Sequence, residues 1–390
     1  MKCKVKTGAD RLAALDHPMI RGRRLGLVTN PTGITADFAS VIDIASGLKQ
    51  AELTALFACE HGLYGQRQAG EKFGDETHPS LGIPVYSLYG EYKKPTAAML
   101  ESVDTILFDM QDLGVRFYTY LSTLIYVMEA CAEHGKSLLV LDRPNPLGGN
   151  VCEGGILQPG FESMVGAWSM PIRTGLTIGE LALAVNGERR LGCDLDVVLM
   201  EGWNRKMEFI DTGLPWMMPS PNIPTIDSVR VYAGTCLFEG TNVSEGRGTT
   251  RPFEWIGAPW IDGADLAAAM NKRRQPGVHF HPVYITPTFS KHQGELCGGV
   301  RLFVTQPDLY QSVRTGLALL HEIASGYPER FEWLSPPPGG RRHFIDLLAG
   351  GEDVRARIAD EEGLEAVLEA WDLDEERWRQ IRKSYLLYER

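Results

Sequence analysis

Several familiar signatures are missing from this 390-residue chain. Its seven cysteines are scattered and never occur in CxxC spacing, so neither a disulfide framework nor a zinc motif is indicated, and a reducing compartment is favoured. No run of about 18 apolar residues occurs, so a membrane span is not expected. Residues 1–15 lack the apolar segment of a secretory leader. We therefore predict a cytoplasmic protein.

Positive charge is also scarce. Lys and Arg number 39 against 50 Asp and Glu, and the formal net charge is -11. An acidic surface does not attract nucleic acid or an anionic membrane, so we expect neither as a partner. The hydrophobic content of 44% is ordinary for a globular protein and argues against extensive disorder.

Short apolar runs alternate with amphipathic, helix-like stretches through about the first 155 residues. The runs contain Val, Ile and Leu without alternation, which is typical of strands covered on both faces. Such strands, separated by helices, predict an α/β fold with a doubly wound parallel sheet. The nucleotide signatures of this architecture are missing, because VTNPTGI at residues 28–34 replaces a GxGxxG and no GxxxxGKS/T occurs. We therefore expect no nucleotide cofactor.

Polar side chains follow the predicted strands at the points where the strands end. Ligands bind outside these carboxyl ends in doubly wound sheets, so we expect the side chains to share one crevice. The residues at these positions are Asn30, Glu60, His61, Asp109, Asp112, Asp142 and Arg143. For any single residue, the alternative is that polar groups end strands because loops are exposed. Four successive strands with such ends favour a binding site.

Residues 57–71, FACEHGLYGQRQAGE, carry two acids on either side of a glycine-rich loop. Glycosidic bonds are commonly cleaved by two carboxyl groups, and Glu60 and Glu71 are the catalytic candidates here. Glu60 follows apolar residues, so we expect a partly buried general acid. His61 is suited to orient this carboxylate or to bind a substrate hydroxyl. The alternatives are a hydrogen-bonded histidine at a helix start and, for Glu71, an exposed pair with Lys72.

Other polar side chains are suited to binding a sugar. Glu239 and Glu245 form a second pair of acids in FEGTNVSEGRG. Arg247 lies between two glycines in the same segment, which leaves its guanidinium accessible, although a turn requirement also explains the glycines. Asn145 and Asn222 are each flanked by prolines, which indicates hydrogen-bonding groups held in place before a ligand arrives.

Residues 112–124, DLGVRFYTYLSTL, bring Arg116 and Tyr118 to the start of a predicted helix. An arginine can hold a carboxylate through two hydrogen bonds, and a tyrosine offers a sugar ring an apolar face with a hydroxyl. The alternative for the tyrosines of this segment is packing at the sheet edge. For Asp142 and Arg143, the alternative is a buried structural pair.

Three histidines raise the question of a metal site. His279 and His281 lie two apart on a predicted strand, and His292 follows in the next segment. Zinc sites usually have three or four ligands, and no HExxH or similar helical spacing occurs. We therefore predict no metal, and a metal-dependent hydrolase built on these histidines is a minority alternative.

Seven motifs occur in an order that resembles one enzyme family. They are GLVTNPTGI, FACEHGLYGQRQAGE, ILFDMQDLGVRFYTYLSTL, LDRPNPLGG, PSPNIPT, LFEGTNVSEGRGTTRPFEWIGAPW and FSKHQGELCGGV. Together they resemble the exo-β-N-acetylmuramidases of the NamZ/YbbC type, formerly grouped as a domain of unknown function. The resemblance covers nearly the whole chain.

The resemblance implies a glycoside hydrolase that releases N-acetylmuramic acid from the non-reducing ends of peptidoglycan fragments without a cofactor. It implies a Rossmann-like catalytic domain over residues 1–160 and a C-terminal α/β domain over residues 161–390 that completes the cleft. The family's acidic motif falls on Glu60 and its AGE motif on Glu71, and Cys59 replaces the family's usual proline. Many members are exported, whereas this chain shows no leader, which favours intracellular recycling.

The partner implied by the resemblance is a small saccharide that ends in muramic acid. This sugar bears a lactyl ether with a carboxylate, so a selective site should contain an accessible cation. The candidate cations are Arg116, Arg143, Arg247 and Lys291. The alternative from another functional class is a non-catalytic protein that binds cell-wall sugars in the same cleft.

Overall fold

The computed structural model describes residues 4–336 and 340–389, which fold into two sheets with helices around them. The strands are β1 (Arg24–Thr29), β2 (Glu52–Ala58), β3 (Glu76–Thr77), β4 (Pro84–Ser87), β5 (Thr105–Asp109), β6 (Ser137–Leu141), β7 (Asp194–Val198), β8 (Trp255–Ala258), β9 (Val278–Ile285) and β10 (Cys297–Val304). The α-helices are α1 (Gly8–Leu12), α2 (Val41–Ser46), α3 (Thr119–His134), α4 (Ile178–Arg189), α5 (Phe209–Thr212), α6 (Ile226–Thr235), α7 (Gly263–Lys272), α8 (Ser312–Gly326), α9 (Phe344–Ala349), α10 (Asp353–Arg357) and α11 (Glu361–Arg382). Short 3₁₀ helices span Cys236–Gly240 and Lys383–Tyr385.

The larger sheet has seven strands in the order β3-β4-β2-β1-β5-β6-β7. Its neighbouring strands are parallel except for the pair β3 and β4. The strand order reverses at β1, which pairs with both β2 and β5. This topology is a doubly wound sheet, and it confirms the α/β fold predicted from the alternation of apolar runs and helical stretches.

The strands of this sheet are covered on both faces. In β2, Phe57 packs in the core on one face and Leu56 packs in a separate core. In β5, Phe108 and Leu107 divide between the same two cores. Successive side chains of a strand point to opposite faces, so apolar residues are needed at every position. This double burial explains why the apolar runs show no alternation.

The larger sheet extends beyond the domain boundary that the sequence predicted at residue 160. Its edge strand β7 pairs with β6, and helix α4 packs against both strands. Thr177 caps α4 in a capping box with Glu180, so the segment after residue 160 begins another helix–strand unit of the same domain. The glycine-rich stretch after residue 155 is a long connection inside this sheet-bearing unit.

The smaller sheet is antiparallel, in the order β8-β10-β9, and packs with helices α6, α7 and α8. Helices α6 and α8 approach closely at Gly234 and Gly316, where an added Cβ on either glycine would collide with the backbone of the other helix. The long helix α11 returns to the first domain, where the indole Nε1 of Trp378 donates to the Thr174 carbonyl at 2.8 Å. Within the described ranges, no helix combines the length and apolar character needed to cross a membrane.

Candidate active site

A cavity of about 570 Å³ lies between the carboxyl edge of the larger sheet and loops of the second domain. The first domain contributes the segments that follow β2 and β4 and the start of α3. The rest of the lining comes mainly from the segment before α6 and, in the second domain, from the 3₁₀ helix at Cys236–Gly240 and the loops before β8 and β10. Its volume is in the usual range for small-molecule sites. Its titratable lining residues are Glu60, His61, Tyr89, Tyr118, Tyr232, Cys236, Glu239, Glu245, Arg247 and Lys291.

Glu60 lies directly beyond β2 and is only 8% exposed. Its Oε1 accepts a hydrogen bond from the Gly70 backbone N–H at 3.0 Å, and its Oε2 accepts one from the Thr119 hydroxyl at 2.7 Å. The preceding residue, Cys59, is fully buried, and its Sγ lies 3.1 Å from the Met110 Sδ. Strand β2 therefore delivers the carboxylate to the cavity, and donors from two other segments fix its orientation.

Tyr89 is a cavity residue that sequence reasoning missed. It follows β4, the strand next to β2, so its side chain lies beside Glu60. Burial raises the pKa of the Tyr89 phenol, and the charges of Glu60 and Glu239 raise this pKa further. The phenol therefore stays neutral and able to donate a hydrogen bond. The available signal was its position at a strand end, in the sequence SLYG.

His61 is buried and adopts a left-handed backbone conformation with φ of 74°. Its Nδ1 lies 2.9 Å from the Arg67 carbonyl oxygen. Since a carbonyl only accepts, Nδ1 carries the proton and Nε2 keeps a lone pair. Burial lowers the pKa of His61, Glu60 raises it, and Arg247 lowers it, with a net decrease. The imidazole is therefore neutral at pH 7.

Glu71 does not line the cavity in this structure. Its carboxylate is about half exposed and accepts hydrogen bonds from Arg67 at 3.0 Å and from the Gln68 N–H at 3.2 Å. Arg67 also binds Glu76 at 2.7 Å. These contacts brace the loop that carries the Gly70 N–H to Glu60. The catalytic role of Glu71 stays a prediction.

The second domain contributes a cluster of two acids and two cations to the cavity. The Arg247 Nη2 donates to Glu239 at 2.6 Å, and its Nε lies 3.2 Å from the Glu245 Oε1. The Lys291 Nζ lies 2.9 Å from the other oxygen of Glu245. Burial raises the pKa of Glu239, whereas the charge of Arg247 opposes that shift. The two pairs balance in charge, and Glu60 adds one carboxylate to the cavity.

The two glycines beside Arg247 are required by the turn. Gly246 and Gly248 have positive φ values of 79° and 78°. A Cβ on Gly246 would lie 2.7 Å from the Trp255 carbonyl oxygen, and one on Gly248 would collide with the Phe289 carbonyl. These close approaches bring the Arg247 backbone against the neighbouring loops and direct the side chain along the cavity wall.

Aromatic rings and an amide complete the lining. The Tyr118 ring packs edge-on against Tyr120 at 4.7 Å and Tyr232 at 6.0 Å between centroids. Tyr118 and Tyr232 line the cavity, whereas Tyr120 is fully buried and donates its hydroxyl to the Pro219 carbonyl. Asn222 lines the cavity as well, and the structure shows no hydrogen bond for its side chain within the described ranges. Packing, the alternative considered for the tyrosines of this segment, therefore describes Tyr120.

Three residues at the carboxyl edge of the sheet, which the sequence predicted for the site, form hydrogen bonds with other protein groups instead of facing the cavity. The Asn30 Oδ1 accepts from the Thr32 N–H at 2.9 Å. The Arg143 guanidinium binds both carboxylate oxygens of Asp109, through Nε and Nη2. Asp142 accepts from the Thr177 hydroxyl and the Gly179 N–H, each at 2.8 Å. None of the three lines the cavity, so the structure does not place them in contact with a substrate there.

Arg116, Asp112 and Asn145 are also buried away from the cavity lining. Arg116 donates to three carbonyl oxygens, those of Gly155, Met170 and Leu348, and so ties the first domain to α9. The Asp112 Oδ2 accepts from the Gly114 N–H at 2.9 Å, and the Asn145 amide donates to the Leu176 carbonyl at 2.8 Å. The rigidity inferred from the prolines around Asn145 therefore serves a backbone contact.

The histidines considered for metal binding do not converge. His279 and His281 lie exposed on the edge strand β9, and the His292 Nε2 lies 2.7 Å from the Asn242 carbonyl oxygen. Among residues 4–336 and 340–389, no group of three or more His, Cys, Asp or Glu side chains is arranged to hold a metal ion.

The cavity thus combines carboxyl groups from both domains. Glu60 comes from the first domain and Glu239 from the second, and both act on the pKa of Tyr89. Glycosidic cleavage requires a carboxylic acid with a raised pKa and a second carboxylate in a fixed position. Glu239 has the raised pKa, and Glu60 is held by two donors. Tyr118 and Tyr232 add the apolar surface on which a sugar ring can pack.

Two family models match this chain. A family model described as the N-terminal part of the exo-β-N-acetylmuramidase NamZ matches residues 25–227, and one described as its C-terminal part matches residues 230–388. The chain belongs to the exo-β-N-acetylmuramidase NamZ family. This membership confirms the resemblance found in the seven sequence motifs. The two family models meet at the start of α6, beyond the last strand of the larger sheet.

Individual proteins match this chain along nearly their whole length. The peptidoglycan β-N-acetylmuramidase NamZ of Bacillus subtilis (strain 168) is 47% identical over 387 residues, which cover 99% of this chain and 92% of that protein. A DUF1343 family protein from Bacteroides fragilis superposes with a TM-score of 0.91 at 36% identity, with full coverage of both chains. A second protein of that family and organism has a TM-score of 0.76 at 31% identity and covers 99% of each chain.

Proposed function

We propose that the protein is an exo-β-N-acetylmuramidase that hydrolyses the bond of N-acetylmuramic acid at the non-reducing end of peptidoglycan fragments. Family membership along nearly the whole chain and the named activity of the Bacillus subtilis relative support this function. The structural observation that carries it is the Glu60 carboxylate, which Gly70 and Thr119 hold in the cavity between the domains.

Glycosidic cleavage requires a proton donor for the leaving oxygen and a second carboxyl group that activates water or attacks the anomeric carbon. Glu60 supplies one of these groups. Glu239 is a candidate for the second, because it lines the same cavity from the other domain. Glu71, the acid of the AGE motif, stays a candidate from the sequence. The neutral phenol of Tyr89 lies beside Glu60 and can donate to an oxygen of the reacting sugar.

Other residues of the cavity lining can bind the pyranose ring, the acetamido group and a hydroxyl of the sugar. Tyr118 and Tyr232 offer ring surfaces to the pyranose. The Asn222 amide can both donate and accept hydrogen bonds, as an acetamido group requires. The His61 Nε2 offers an acceptor to a sugar hydroxyl. The cytoplasmic location and the absence of a nucleic-acid partner stay predictions from composition.

Substitution of the central carboxylate tests the proposed function. Glu60→Gln keeps the shape of the side chain and removes its charge, so release of the free sugar from a chromogenic β-N-acetylmuramide should fall by at least about 1,000-fold. Glu52→Gln at the exposed start of the same strand is the matched control and should keep the wild-type rate. Thermal denaturation should place both variants close to the wild type. A Glu60→Gln protein with the wild-type rate would refute the assignment.

A binding protein without catalysis is the alternative that the same cleft allows. Purified protein mixed with a disaccharide that ends in muramic acid distinguishes the two functions when the products are followed by mass spectrometry. The proposed function requires the monosaccharide to accumulate with time. Saturable binding of an intact disaccharide, with no monosaccharide at any enzyme concentration, would support the alternative.

A further inference from the structure

Muramic acid carries a lactyl carboxylate, and the structure distinguishes sharply among the four cations that the sequence offered for it. Arg116 donates to three backbone carbonyls, and Arg143 forms a two-point pair with Asp109. Both residues are at most 5% exposed, and neither lines the cavity. A substrate carboxylate therefore meets only Arg247 and Lys291 among the four.

Lys291 has no N–H left to offer. Its Nζ donates to the Phe238 carbonyl at 2.8 Å, to the Val243 carbonyl at 3.0 Å and to Glu245 at 2.9 Å. An ammonium group has three N–H donors, so these contacts use all of them. Lys291 holds the loop of Glu245 against the 3₁₀ helix and does not face the substrate with a free donor.

Arg247 keeps one edge of its guanidinium free of hydrogen bonds. Its Nη2 binds Glu239 and its Nε lies against Glu245, whereas its Nη1 makes no hydrogen bond within the described ranges. The face of the guanidinium lies 5.1 Å from the centroid of the Phe253 ring, which limits its rotation. The side chain lines the cavity and is 18% exposed, so the Nη1 edge can reach a ligand.

We propose that Arg247 is the specificity-determining residue that binds the carboxylate of the sugar's substituent through its free Nη1 edge. This inference rests on the proposed function and names the chemical feature that the site selects: an anionic group on an N-acetylated hexosamine. Lys291 supports the selection indirectly, because it neutralises Glu245 and leaves the charge of Arg247 opposed mainly by Glu239.

Selection for the substrate carboxylate depends on its direct contact with the Arg247 guanidinium. Glu60 and the two acids of the cluster give the cavity three carboxylates against two cations. A further anion that did not touch a cation would be repelled there. A charge-assisted hydrogen bond to a guanidinium offsets that repulsion and favours a carboxylate over a neutral group by roughly 10- to 100-fold.

The test measures each of three proteins with each of two substrates. The substrates are a chromogenic β-N-acetylmuramide with a free lactyl carboxylate and the same compound as its lactyl methyl ester. The proteins are the wild type, Arg247→Gln, and the control Arg230→Gln. Arg230 is a suitable control because it also binds two acids, Glu208 and Asp227, and is 14% exposed, but it does not line the cavity.

The measured quantity is the ratio of kcat/KM for the acid to kcat/KM for the ester. We expect a ratio of about 10 to 100 in the wild type and in Arg230→Gln, and a ratio within about twofold of unity in Arg247→Gln. An Arg247→Gln protein that keeps the wild-type ratio overturns the proposal. So does a wild-type ratio near unity, because the carboxylate would then not be recognised.

A second variant covers the case in which Arg247→Gln does not fold because it leaves Glu239 and Glu245 unpaired. Arg247→Lys keeps the charge but lacks the planar fork. Its ratio should fall by at least about threefold, and an unchanged ratio counts against the proposal. Failure of the proposed function gives a different result, since the wild type would then release no sugar from either substrate.

Discussion

Single residues from three separate segments determine how Glu60 is held. Gly70 and Thr119 each bind one carboxylate oxygen, and Tyr89 lies beside the group from the neighbouring strand end. The sequence predicted Glu60 because a strand end and an acid are both visible locally. Tyr89 and Thr119 were not predicted, since their relevance depends on which strands become neighbours in the sheet.

The contribution of Thr119 is testable with a near-isosteric change. Thr119→Val removes the hydroxyl that donates to the Glu60 Oε2, so the carboxylate loses one of its two fixed donors. We expect kcat to fall by about 5- to 30-fold with little change in KM, which corresponds to roughly 1–2 kcal/mol. The control is Thr123→Val one turn later on α3, where the hydroxyl donates only to the Thr119 carbonyl. Equal rates in the two variants would show that the hydrogen bond to Glu60 has no catalytic importance.

At the scale of elements, the loop between β2 and β3 positions both Glu60 and His61. It carries the Gly70 N–H that binds Glu60 and the Arg67 carbonyl that accepts from His61. The loop is held by Arg67, which pairs with Glu71 and Glu76 and lies over the Phe73 ring at 4.7 Å. A glycine-rich loop thereby gains a defined shape from three interactions of one arginine.

This bracing predicts similar effects from two substitutions in the loop. Arg67→Gln and Glu71→Gln both weaken the same pair, so each should lower kcat/KM by about 3- to 10-fold. The unfolding free energy should change by less than about 1 kcal/mol, because these ion pairs are partly exposed. Steady-state kinetics and urea denaturation provide the two readouts. A loss above about 1,000-fold in Glu71→Gln alone would instead support the catalytic role predicted from the AGE motif.

At the scale of the whole molecule, the C-terminal segment closes back onto the first domain. The Tyr388 hydroxyl donates to the buried Asp142 at 2.6 Å, and the Arg382 guanidinium donates to the Gly149 and Gly175 carbonyls. Asp142 also receives the Gly179 N–H at the start of α4, where a negative charge is favourable. The chain end thus stabilises the edge of the larger sheet.

Tyr388→Phe should reveal this closure through the pH dependence of stability. The pKa of Asp142 is raised to about 6, mainly by burial and to a smaller extent by the charge of Glu180, although the hydrogen bonds from Tyr388, Gly179 and Thr177 oppose the rise. A carboxyl group with a raised pKa contributes its full stability below its ordinary value of 3.8, and this contribution is lost as pH rises through about 6. Removing the Tyr388 hydroxyl raises this pKa further, so the variant loses more stability at alkaline than at acidic pH.

We expect a loss in unfolding free energy of about 2 kcal/mol at pH 8 and about 1 kcal/mol at pH 5, with kcat unchanged. Urea denaturation at the two pH values measures the difference. Tyr385→Phe is the matched control, because its hydroxyl donates to the exposed Glu188. A loss that is equal at both pH values would mean that Asp142 does not titrate in this range.

The sequence by itself determined the parallel sheet and the position of Glu60 at a strand end, because buried strands and their ends are recognisable from short runs of consecutive residues. Pattern also placed Asp142 and Arg143 at the same edge, and the distinction between them and Glu60 came only from tertiary structure. Arg143 is bound by Asp109, 34 residues away, and Asp142 by Tyr388, 246 residues away. Burying a charge favours such partners wherever they occur in the chain, so only the tertiary structure decides which of the groups at the strand ends face the cavity.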